Sequence, residues 1–402
     1  MYEVVIVGGG FAGVWTAAGI VRQRIEAGAA ESELRVTLVS AGDDLVMRPR
    51  LYEADPDRMR VALDRILGPI GVRRVAATVT DINTDEHEVS VVRRDGSCQV
   101  LSYDRLVLAS GSQVVRPQFS GAEHLFDVDT LSGAAALEAH LLRLPGLPAD
   151  EDRFTAVVVG AGFTGLETAT ELTGRLRALA GPDENVRVIL VEREDAVGPE
   201  LGEGPRPHIL AALNELGVEL RLGVSLALMT AHGVLLSDGT SIASATTVWT
   251  AGAKASPLTA QIPGERDRLG RLTVDEFQRV RGVQDVYAAG DTAAALAEEG
   301  HVVMQSCQHA TPQGKFAGAN VAADLLGLEP VPFEPDPYAT CLDLGPAGAV
   351  VTLGWDRVVQ MTGQEAKEYK QTVNSVWIYP PVDDAEAILS AAHYKIPRAD
   401  LA

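Results

Sequence analysis

Two apolar runs, each followed by a glycine-rich turn, dominate the pattern of hydrophobic and polar positions along the chain. The first run, Tyr2–Val7, leads into Gly-Gly-Gly-Phe-Ala-Gly at residues 8–13. The second run, residues 154–159, leads into Gly-Ala-Gly-Phe-Thr-Gly at residues 160–165. Short continuous apolar runs are typical of strands that are buried on both faces of a parallel sheet. The pattern therefore predicts two buried strands that end in the same kind of turn.

Each turn opens a stretch with helical periodicity, at residues 11–27 after the first and at residues 164–180 after the second. Glycines let the backbone turn tightly and approach a pyrophosphate, and the start of the helix offers free N–H groups and a positive dipole. One such turn is a weak signal because the motif is short. Two of them, each between a strand and a helix, predict a flavin site and a nicotinamide site placed for hydride transfer.

The remaining elements repeat this scheme. In the first unit we expect a helix at 58–66 and strands at 35–39, 72–82, 87–93, 99–102 and 106–108. In the second unit we expect a helix at 207–216 and strands at 187–191, 218–222 and 247–251. Residues 283–326 have the order strand, Gly-Asp turn, helix. A proline cluster then precedes strands at 338–342, 349–355 and 357–361 and a helix at 364–373.

This order predicts an α/β protein with two Rossmann-like, GxGxxG-containing dinucleotide-binding domains and a small C-terminal α+β domain. We expect residues 1–115 and 253–327 to form the first nucleotide-binding domain and residues 116–252 the second. Residues 328–402 then form an interface or tail domain. Because residues 383–395 have only a modest apolar face, we expect this tail to pack on protein or form a dimer contact, not to lie on a membrane.

Charge and cysteine content restrict the partners of the chain. Its 402 residues include 34 Lys and Arg against 55 Asp and Glu, a net charge of −21 that argues against nucleic acid and anionic membranes. No stretch approaches the ~20 apolar residues of a membrane span, and the first strand begins at Tyr2 without a signal peptide. Cys98, Cys307 and Cys341 have no metal-ligand spacing, so we expect no metal site and a cytoplasmic protein.

At the first turn, three glycines are the candidates for phosphate contact: Gly8, Gly10 and Gly13. The second strand ends at Ser40, where dinucleotide folds usually carry a carboxylate for a ribose hydroxyl pair. A serine makes one such hydrogen bond where a carboxylate makes two. We therefore expect the ribose to be held less firmly, or by Asp43 or Asp44.

At the second turn, the corresponding glycines are Gly160, Gly162 and Gly165. The next strand ends at Glu192, the position of a carboxylate that takes a ribose diol. A 2′-phosphate would meet two acidic residues here, so we predict NADH over NADPH. The alternative is that Arg193 reaches a 2′-phosphate.

Two further segments are expected near the flavin. The strand that ends in Gly290 and Asp291 places a carboxylate on the flavin ribityl chain, although a simple helix cap by Asp291 is the alternative. Farther on, Thr311 is a good N-cap and Pro312 suits the first helical position, which predicts a helix from there. Its N-terminus would face the flavin and stabilise the negative charge that grows on reduction.

Seven segments spread over about residues 2–325 together resemble the two-dinucleotide-fold flavoprotein reductases of the pyridine nucleotide-disulfide reductase superfamily, and within them the type II NADH dehydrogenases. They are VVIVGGGFAG, RPRLYEA, YDRLVLASGS, VVVGAGFTGLETATEL, TTVWTAGAKASPL, VYAAGD and CQHATPQGKFAGANV. The resemblance implies FAD in the first domain, NADH in the second as hydride donor to flavin N5, and a quinone-like acceptor.

The resemblance also implies roles for individual residues. Glu167 lies where the family carries a glutamate near the nicotinamide and acceptor pocket, although an ordinary first-turn glutamate is the alternative. Gln308 matches the Ala-Gln-x-x-x-Gln pattern associated with quinone, but Cys307 and Pro312 replace the flanking residues. Further cofactor contacts are implied for Phe11, Ala12, Arg48, Pro49, Val79, Ala109, Ser110, Gly111, Phe163, Thr164, Ala251, Gly252, His309 and Ala310.

The sequence departs from the family at Arg48-Pro49-Arg50, where the family segment is Gln-Pro-Leu. Either arginine faces the flavin ring or an anionic substrate, or both are solvated surface residues. The redox CxxxxC that disulfide reductases carry in this region is absent, which argues against a dithiol mechanism there. Cys307 is either a partner of the flavin or a small apolar residue.

The sequence leaves three functions open. The leading one is an NADH-dependent FAD oxidoreductase that reduces a small acceptor, quinone-like or a specialised metabolite. The second is a reductase for a protein partner such as ferredoxin, which the net acidity disfavours. The third is a redox-sensing flavoprotein that binds nucleotides with little turnover. A homodimer is compatible with each of them.

Overall fold

A computed structural model describes residues 1–148, 150, 152–230 and 232–395 of the chain. Within them the first thirteen strands are β1 Tyr2–Val7, β2 Leu34–Ser40, β3 Asp44–Val46, β4 Arg60–Ala62, β5 Arg73–Asn83, β6 Glu88–Arg93, β7 Cys98–Ser102, β8 Arg105–Leu108, β9 Ser112–Val114, β10 Thr155–Val159, β11 Arg187–Val191, β12 Glu219–Arg221 and β13 Leu226–Thr230. The others are β14 Gly233–Leu236, β15 Ser241–Ala243, β16 Thr246–Trp249, β17 Ala253–Ala255, β18 Leu272–Thr273, β19 Val286–Ala288, β20 Ala293–Ala294, β21 Leu296–Glu298, β22 His301–Val302, β23 Ala339–Asp343, β24 Ala349–Leu353 and β25 Val358–Thr362.

The α-helices are α1 Phe11–Glu26, α2 Asp64–Leu67, α3 Leu131–Leu141, α4 Phe163–Ala180, α5 Arg206–Leu216, α6 Cys307–Leu326, α7 Gly363–Thr372 and α8 Ala385–Ala391. A π-helical turn at Val373–Trp377 continues α7, and short 3₁₀ turns include Arg48–Arg50.

The first glycine turn belongs to a seven-stranded sheet with the order β19-β8-β1-β2-β5-β6-β7. The strands from β19 to β5 are parallel, and β5, β6 and β7 form an antiparallel extension. Helices α1 and α6 lie against each other over this sheet. A Cβ on Gly318 of α6 would lie 2.4 Å from the Thr16 carbonyl oxygen of α1, so glycine is required for the two helix backbones to approach this closely.

The second glycine turn belongs to a four-stranded parallel sheet with the order β12-β11-β10-β16. Its central strand β10 is fully buried, as the continuous apolar run predicted. Helices α4 and α5 pack on this sheet, and β13, β14 and β15 form a small antiparallel sheet beside it. The predicted α/β class with two parallel nucleotide-binding sheets is therefore confirmed.

A two-stranded ribbon connects the two halves. Strand β9 follows β8 of the first sheet, β17 follows β16 of the second, and the two pair antiparallel. At the ribbon ends, the Val115 N–H donates to the Gly252 carbonyl at 2.7 Å and the Ser256 N–H donates to the Gly111 carbonyl at 2.8 Å. These bonds hold the loop after β8 and the loop after β16 side by side.

The C-terminal part contains the antiparallel sheet β23-β24-β25, followed by α7 and α8. Helix α8 packs on α1: Ile388 is fully buried, and the Arg22 guanidinium donates to the Leu389 carbonyl at 2.9 Å. Tyr394 packs against Phe316 of α6 with ring centroids 5.1 Å apart. The described part of the tail therefore covers the helices of the first sheet, in line with the predicted packing on protein.

The helix expected at 58–66 is wrong. Residues Arg60–Ala62 instead form β4, which pairs antiparallel with β3 and places Val61 opposite Leu45. Only Asp64–Leu67 is α-helical there. Burial of Leu45 and Met59 in the core stabilises the strand pair over the helix that the local periodicity favoured.

Among the described residues, the helices lack an apolar stretch of the length needed to span a membrane.

The substitution Ile388→Ala tests the docking of the tail. Because Ile388 is fully buried, we expect the free energy of unfolding to fall by about 2–4 kcal/mol. The matched control is Ser390→Ala on the exposed side of the same helix, for which we expect a change within about 0.5 kcal/mol. Urea unfolding followed by circular dichroism measures both, and equal effects would show that α8 is not docked as described.

Candidate functional site

The first glycine turn is closed by contacts between backbone atoms. A Cβ on Gly13 would lie 1.9 Å from the Gly8 carbonyl oxygen, and a Cβ on Gly8 would lie 2.2 Å from the Ala109 carbonyl oxygen. At Gly10, in contrast, no atom lies within 4 Å of the Cβ position. The turn is therefore packed on the protein side and open on the side from which a pyrophosphate would approach.

Helix α1 begins directly at this turn. Gly10 is its N-cap and provides no side-chain capping bond, so the N–H groups of Phe11 and Ala12 belong to an uncapped helix start. The Ser40 hydroxyl lies 2.7 Å from the Cβ position of Gly9. The buried Ser110 hydroxyl has no hydrogen-bond partner among the described residues. These polar groups fit a dinucleotide bound at the turn.

The two aspartates considered as alternatives to Ser40 have arginine partners. Asp43 forms ion pairs with Arg74 at 3.0 Å and Arg94 at 2.8 Å, and the hydrogen bonds from these arginines lower the pKa of its carboxyl. Asp44 lies 3.4 Å from Arg60. Of the three candidates, Ser40 is the one that the structure places against the turn.

Gly290 and Asp291 also come to the first turn. A Cβ on Gly290 would lie 2.8 Å from the Ala12 Cβ and 3.4 Å from the Ala310 Cβ, so three predicted site residues meet there. The Ser112 hydroxyl donates to the Asp291 carboxylate at 2.6 Å. The Asp291 carboxylate is thus held by Ser112 beside the first turn, and its contact with the ribityl chain stays a prediction.

Arg48 extends this cluster. Its guanidinium donates to the Ser112 carbonyl and hydroxyl at 3.2 Å each, lies 3.5 Å from Asp291, and forms an ion pair with Asp129. Pro49 follows it, half-buried, in the 3₁₀ turn. Arg48 is therefore not a solvated surface arginine, and its ion pair with Asp129 was not predicted from the sequence.

The second turn repeats the geometry of the first. A Cβ on Gly165 would lie 1.7 Å from the Gly160 carbonyl oxygen. A Cβ on Gly160 would lie 3.0 Å from the Ala251 Cβ, which brings the predicted Ala251-Gly252 loop to this turn. Gly162 is the uncapped N-cap of α4, whose first residues are Phe163 and Thr164.

Glu192 holds the second turn in place. One carboxylate oxygen accepts the Ala161 N–H at 2.7 Å and the other accepts the Glu194 N–H at 3.0 Å. Arg193 is largely exposed and lies 3.2 Å from the Glu194 carboxylate. The carboxylate predicted to take a ribose diol is therefore at the turn, and its neighbourhood is predominantly acidic.

The predicted start of α6 is wrong. The helix begins at Cys307, with the extended Ser306 as N-cap, five residues before the expected Pro312. Its first bond runs from the Ala310 N–H to the Ser306 carbonyl at 2.9 Å. Pro312 lies inside the helix, where it forgoes one backbone hydrogen bond. The helix start still adjoins the first site, because Gln305 donates to the Asp291 carbonyl at 3.2 Å.

Gln308 and His309 face the C-terminal sheet. The Gln308 amide is assigned in the orientation that its hydrogen bonds require. Its oxygen accepts the Ala339 N–H at 3.0 Å, and its nitrogen donates to the Ala339 carbonyl. His309 is buried, accepts the Met304 N–H through Nδ1 at 3.1 Å, and stacks on Tyr338 at 5.0 Å. These two predicted site residues attach the start of α6 to the C-terminal sheet.

Glu167 is a buried ion-pair partner and not an ordinary first-turn glutamate. It lies 2.8 Å from the Lys370 ammonium of α7 and accepts the Asp343 N–H at 3.1 Å. Burial raises the pKa of the Glu167 carboxyl, although the ammonium opposes this effect. Lys370 also donates to the Cys341 carbonyl at 3.0 Å. Lys370 was not predicted, since the charged sequence of α7 is typical of a solvated helix.

A network of polar side chains surrounds this ion pair. Asp343 accepts from the Tyr52 hydroxyl at 3.2 Å and forms an ion pair with Lys367. Asn374 donates to the Tyr52 hydroxyl at 3.3 Å and to Glu53 at 2.8 Å. The network thereby joins α4, the segment after Arg48, and α7 with its π-helical turn.

The cysteines give little support for thiol chemistry. Burial raises the pKa of the Cys341 thiol to about 12, so it is protonated at neutral pH and a poor nucleophile. Cys98 is exposed, and Cys307 is half-buried at the start of α6. Val79, which was predicted as a cofactor contact, lies in β5 beside a register shift and packs against a buried apolar cluster that includes Val75, Val91 and Leu106.

Comparison with known proteins assigns the family. Residues 2–314 match the pyridine nucleotide-disulphide oxidoreductases. The chain is 47% identical over 395 residues to an NADH dehydrogenase-like protein of Mycobacterium tuberculosis, covering 98% of each. It is 26% identical over 402 residues to a demethylphylloquinone reductase of Synechocystis, covering 95% of this chain and 97% of that one. The chain belongs to the pyridine nucleotide-disulphide oxidoreductase family.

A solved structure supports the same fold. The chain resembles an NDH2 from Plasmodium falciparum in complex with NADH, with a TM-score of 0.77, 12% identity and 97% and 96% of the two chains covered. The family match and the relatives confirm the predicted family and enzyme class, an NADH dehydrogenase-like oxidoreductase, and this structure supports the predicted fold class.

The substitution Lys370→Met tests the buried ion pair. It leaves Glu167 without its cation, so the carboxyl has to be protonated to stay buried. Stability should therefore be retained at low pH and fall by about 1.4 kcal/mol per pH unit above the ordinary glutamate range, because the unfolded chain releases this proton first. Urea unfolding between about pH 5 and about pH 8 measures the slope.

The control for this slope is the double variant Lys370→Met with Glu167→Gln. It has no carboxyl at this position, so its stability should vary with pH without the fall that Lys370→Met produces. If Lys370→Met alone shows that same dependence, the two groups do not form the described pair.

Proposed function

We propose that the chain transfers a hydride from NADH to FAD and passes the electrons to a small, quinone-like acceptor. The observation that carries this proposal is the ribbon between the two sites. The carbonyls of Gly111 and Gly252 accept hydrogen bonds across the ends of this ribbon. The loops beside the two glycine turns therefore lie next to each other. Two dinucleotides bound at these turns would extend toward a common region.

The first site is proposed for FAD. The open face at Gly10, the orphan Ser110 hydroxyl and the Asp291 carboxylate are suited to phosphates and to a polyhydroxyl chain. When bound, FAD would supply the ring that accepts the hydride. Arg48 places a positive charge beside Asp291 at this end of the site. The start of α6 adds an uncapped helix terminus.

The second site is proposed for NADH in preference to NADPH. Glu192 is positioned at the turn to accept from a ribose diol, as in other dinucleotide folds. A 2′-phosphate would approach both Glu192 and Glu194, and Arg193 already pairs with Glu194. Repulsion between these carboxylates and the 2′-phosphate favours the dinucleotide that lacks it.

The acceptor pocket is proposed to lie beside Glu167. This residue is in the second turn of α4, and its network reaches the segment of Arg48 through Asp343 and Tyr52. Reduction of a quinone consumes protons as well as electrons, and a buried carboxyl with a raised pKa is suited to handle them. The names of two kinds of relative, a demethylphylloquinone reductase and a type II NADH:quinone oxidoreductase of Staphylococcus aureus, support this acceptor class.

Two differences from the quinone-associated Ala-Gln-x-x-x-Gln pattern of the family indicate that the acceptor is not held by the usual quinone contacts. Pro312 occupies the position of the second glutamine of the quinone-associated pattern, and the Gln308 side chain is bound to Ala339. We therefore expect a short-chain or otherwise specialised acceptor to be accommodated by the pocket around Glu167.

Anaerobic titration with NADH tests the proposal. We expect the purified protein to show a flavin absorbance band that NADH bleaches. At equal concentration, NADPH should bleach this band at least about 10-fold more slowly. Addition of a short-chain quinone should then restore the band. The measurement is a stopped-flow spectrum followed by steady-state turnover with the same quinone. A sample that receives quinone without NADH is the control.

Three outcomes would change the proposal in different ways. Bleaching without recovery by quinone would contradict the acceptor and leave the NADH-to-flavin step. Faster bleaching by NADPH would contradict the nucleotide preference. A protein that shows no flavin band after reconstitution with FAD would overturn the two-cofactor interpretation.

A further inference from the structure

Arg357 has an unusual backbone and environment. It lies in the turn between β24 and β25 with a φ of 57°, in the left-handed region that is costly for a residue other than glycine. Its side chain is nevertheless buried, with the residue only 5% exposed. Strained, buried residues persist when the surrounding structure holds them, and they are frequent at functional sites.

The Arg357 guanidinium is a buried cation that forms no ion pair with a described carboxylate. It lies 4.4 Å from the centroid of the Tyr338 ring and 6.0 Å from that of Phe163. Nη2 donates to the Glu200 carbonyl at 3.4 Å, and Nη1 makes no hydrogen bond within the described residues. No described carboxylate lies within 4.0 Å of this guanidinium. Aromatic faces attract a cation but take no N–H···O hydrogen bond from it, so Nη1 is an unused donor.

This cation adjoins the second glycine turn. Phe163, whose ring faces the guanidinium, is the first residue of α4 and follows the uncapped Gly162. The segment that carries Glu200 contacts the same turn, since the Gly198 N–H donates to the Ala161 carbonyl at 3.1 Å. A Glu200 carboxylate oxygen lies 2.7 Å from the Cβ position of Gly162. The helix start and the unpaired guanidinium therefore converge on one place.

We infer that Arg357 is an anion-binding residue of the second site and donates Nη1 to the pyrophosphate of the nicotinamide dinucleotide. This inference rests on the proposed function and assigns to the C-terminal sheet a part in nucleotide binding. The exposed Glu200 side chain occupies the approach to Gly162 in the structure and moves aside when the phosphates bind. A charge-assisted hydrogen bond to the pyrophosphate then satisfies the guanidinium.

The substitutions Arg357→Met and Arg357→Lys test this role in the flavin-loaded protein. By isothermal titration we expect Arg357→Met to weaken both NAD⁺ and ADP-ribose about 10-fold, since both contain the pyrophosphate, and Arg357→Lys to weaken them less. The matched control is Arg143→Met, which removes an exposed arginine after α3, outside the site, and should change both affinities by less than about twofold. Inorganic phosphate, used as competitor, should displace NAD⁺ less effectively from Arg357→Met than from the unmodified protein.

Thermal melting separates binding from structural support. Replacing an unpaired buried cation by an apolar side chain of similar length is expected to leave the melting temperature of the nucleotide-free protein unchanged or raised. The increase in melting temperature on addition of NAD⁺ should shrink in the same variant.

The inference is overturned if Arg357→Met binds NAD⁺ and ADP-ribose as tightly as the unmodified protein. It is also overturned if this variant melts well below the unmodified protein without nucleotide, because the side chain then has a structural role. If the unmodified protein itself binds neither NAD⁺ nor ADP-ribose, the proposed function fails, which is a distinguishable result.

Discussion

The site depends on one steric constraint, the contact between the last glycine of each turn and the carbonyl oxygen of the first. At Gly13 and Gly165 a side chain would overlap the carbonyl of Gly8 or Gly160 by a wide margin, with separations of 1.9 and 1.7 Å. This contact closes the turn and sets the helix directly behind it. The helix start then points its unpaired N–H groups at the open side of the turn.

The two turns become one site through longer-range contacts. The ribbon of β9 and β17 holds the adjoining loops together, and the C-terminal sheet closes over both through buried polar side chains. Lys370 pairs with Glu167 behind the second turn, and Gln308 attaches the start of α6 to β23. Buried ion pairs of this kind add little net stability, because desolvation offsets their attraction. They do fix one geometry, which the proposed acceptor pocket beside Glu167 requires.

The sequence predicted what local patterns determine. The glycine turns, their flanking strands, the hairpin extension of the first sheet and the carboxylates Glu192 and Asp291 each follow from a few adjacent residues. Lys370 lies in a charged helix whose local sequence gives no sign of burial, and its partner Glu167 is far away in the chain. Arg357 is hidden in the same way, because its environment is assembled from Phe163, Glu200 and Tyr338.

Local signals also misled in two places. Thr311-Pro312 has the composition of a helix start, yet the helix begins at Cys307 and the proline lies inside it. Residues 58–66 have a helical period, yet pairing with β3 buries their apolar side chains better. In both cases tertiary contacts outweigh an intrinsic preference of about 1 kcal/mol or less per residue. The contacts of a bound cofactor remain predictions for the same reason, since they depend on atoms contributed by several distant segments.

The most direct test of the central claim, that each turn holds its own dinucleotide, uses two substitutions on the open sides of the turns. Gly10→Val has free space around its Cβ, and Gly162→Val meets only the end of the flexible Glu200 side chain, so both variants should fold. The measurements are the flavin content of each purified variant, its bleaching by NADH, and its affinity for NAD⁺ by isothermal titration. The account predicts that Gly10→Val loses the flavin and still binds NAD⁺, whereas Gly162→Val keeps the flavin and is not reduced by NADH. Retention of flavin by Gly10→Val together with normal reduction of Gly162→Val would contradict it.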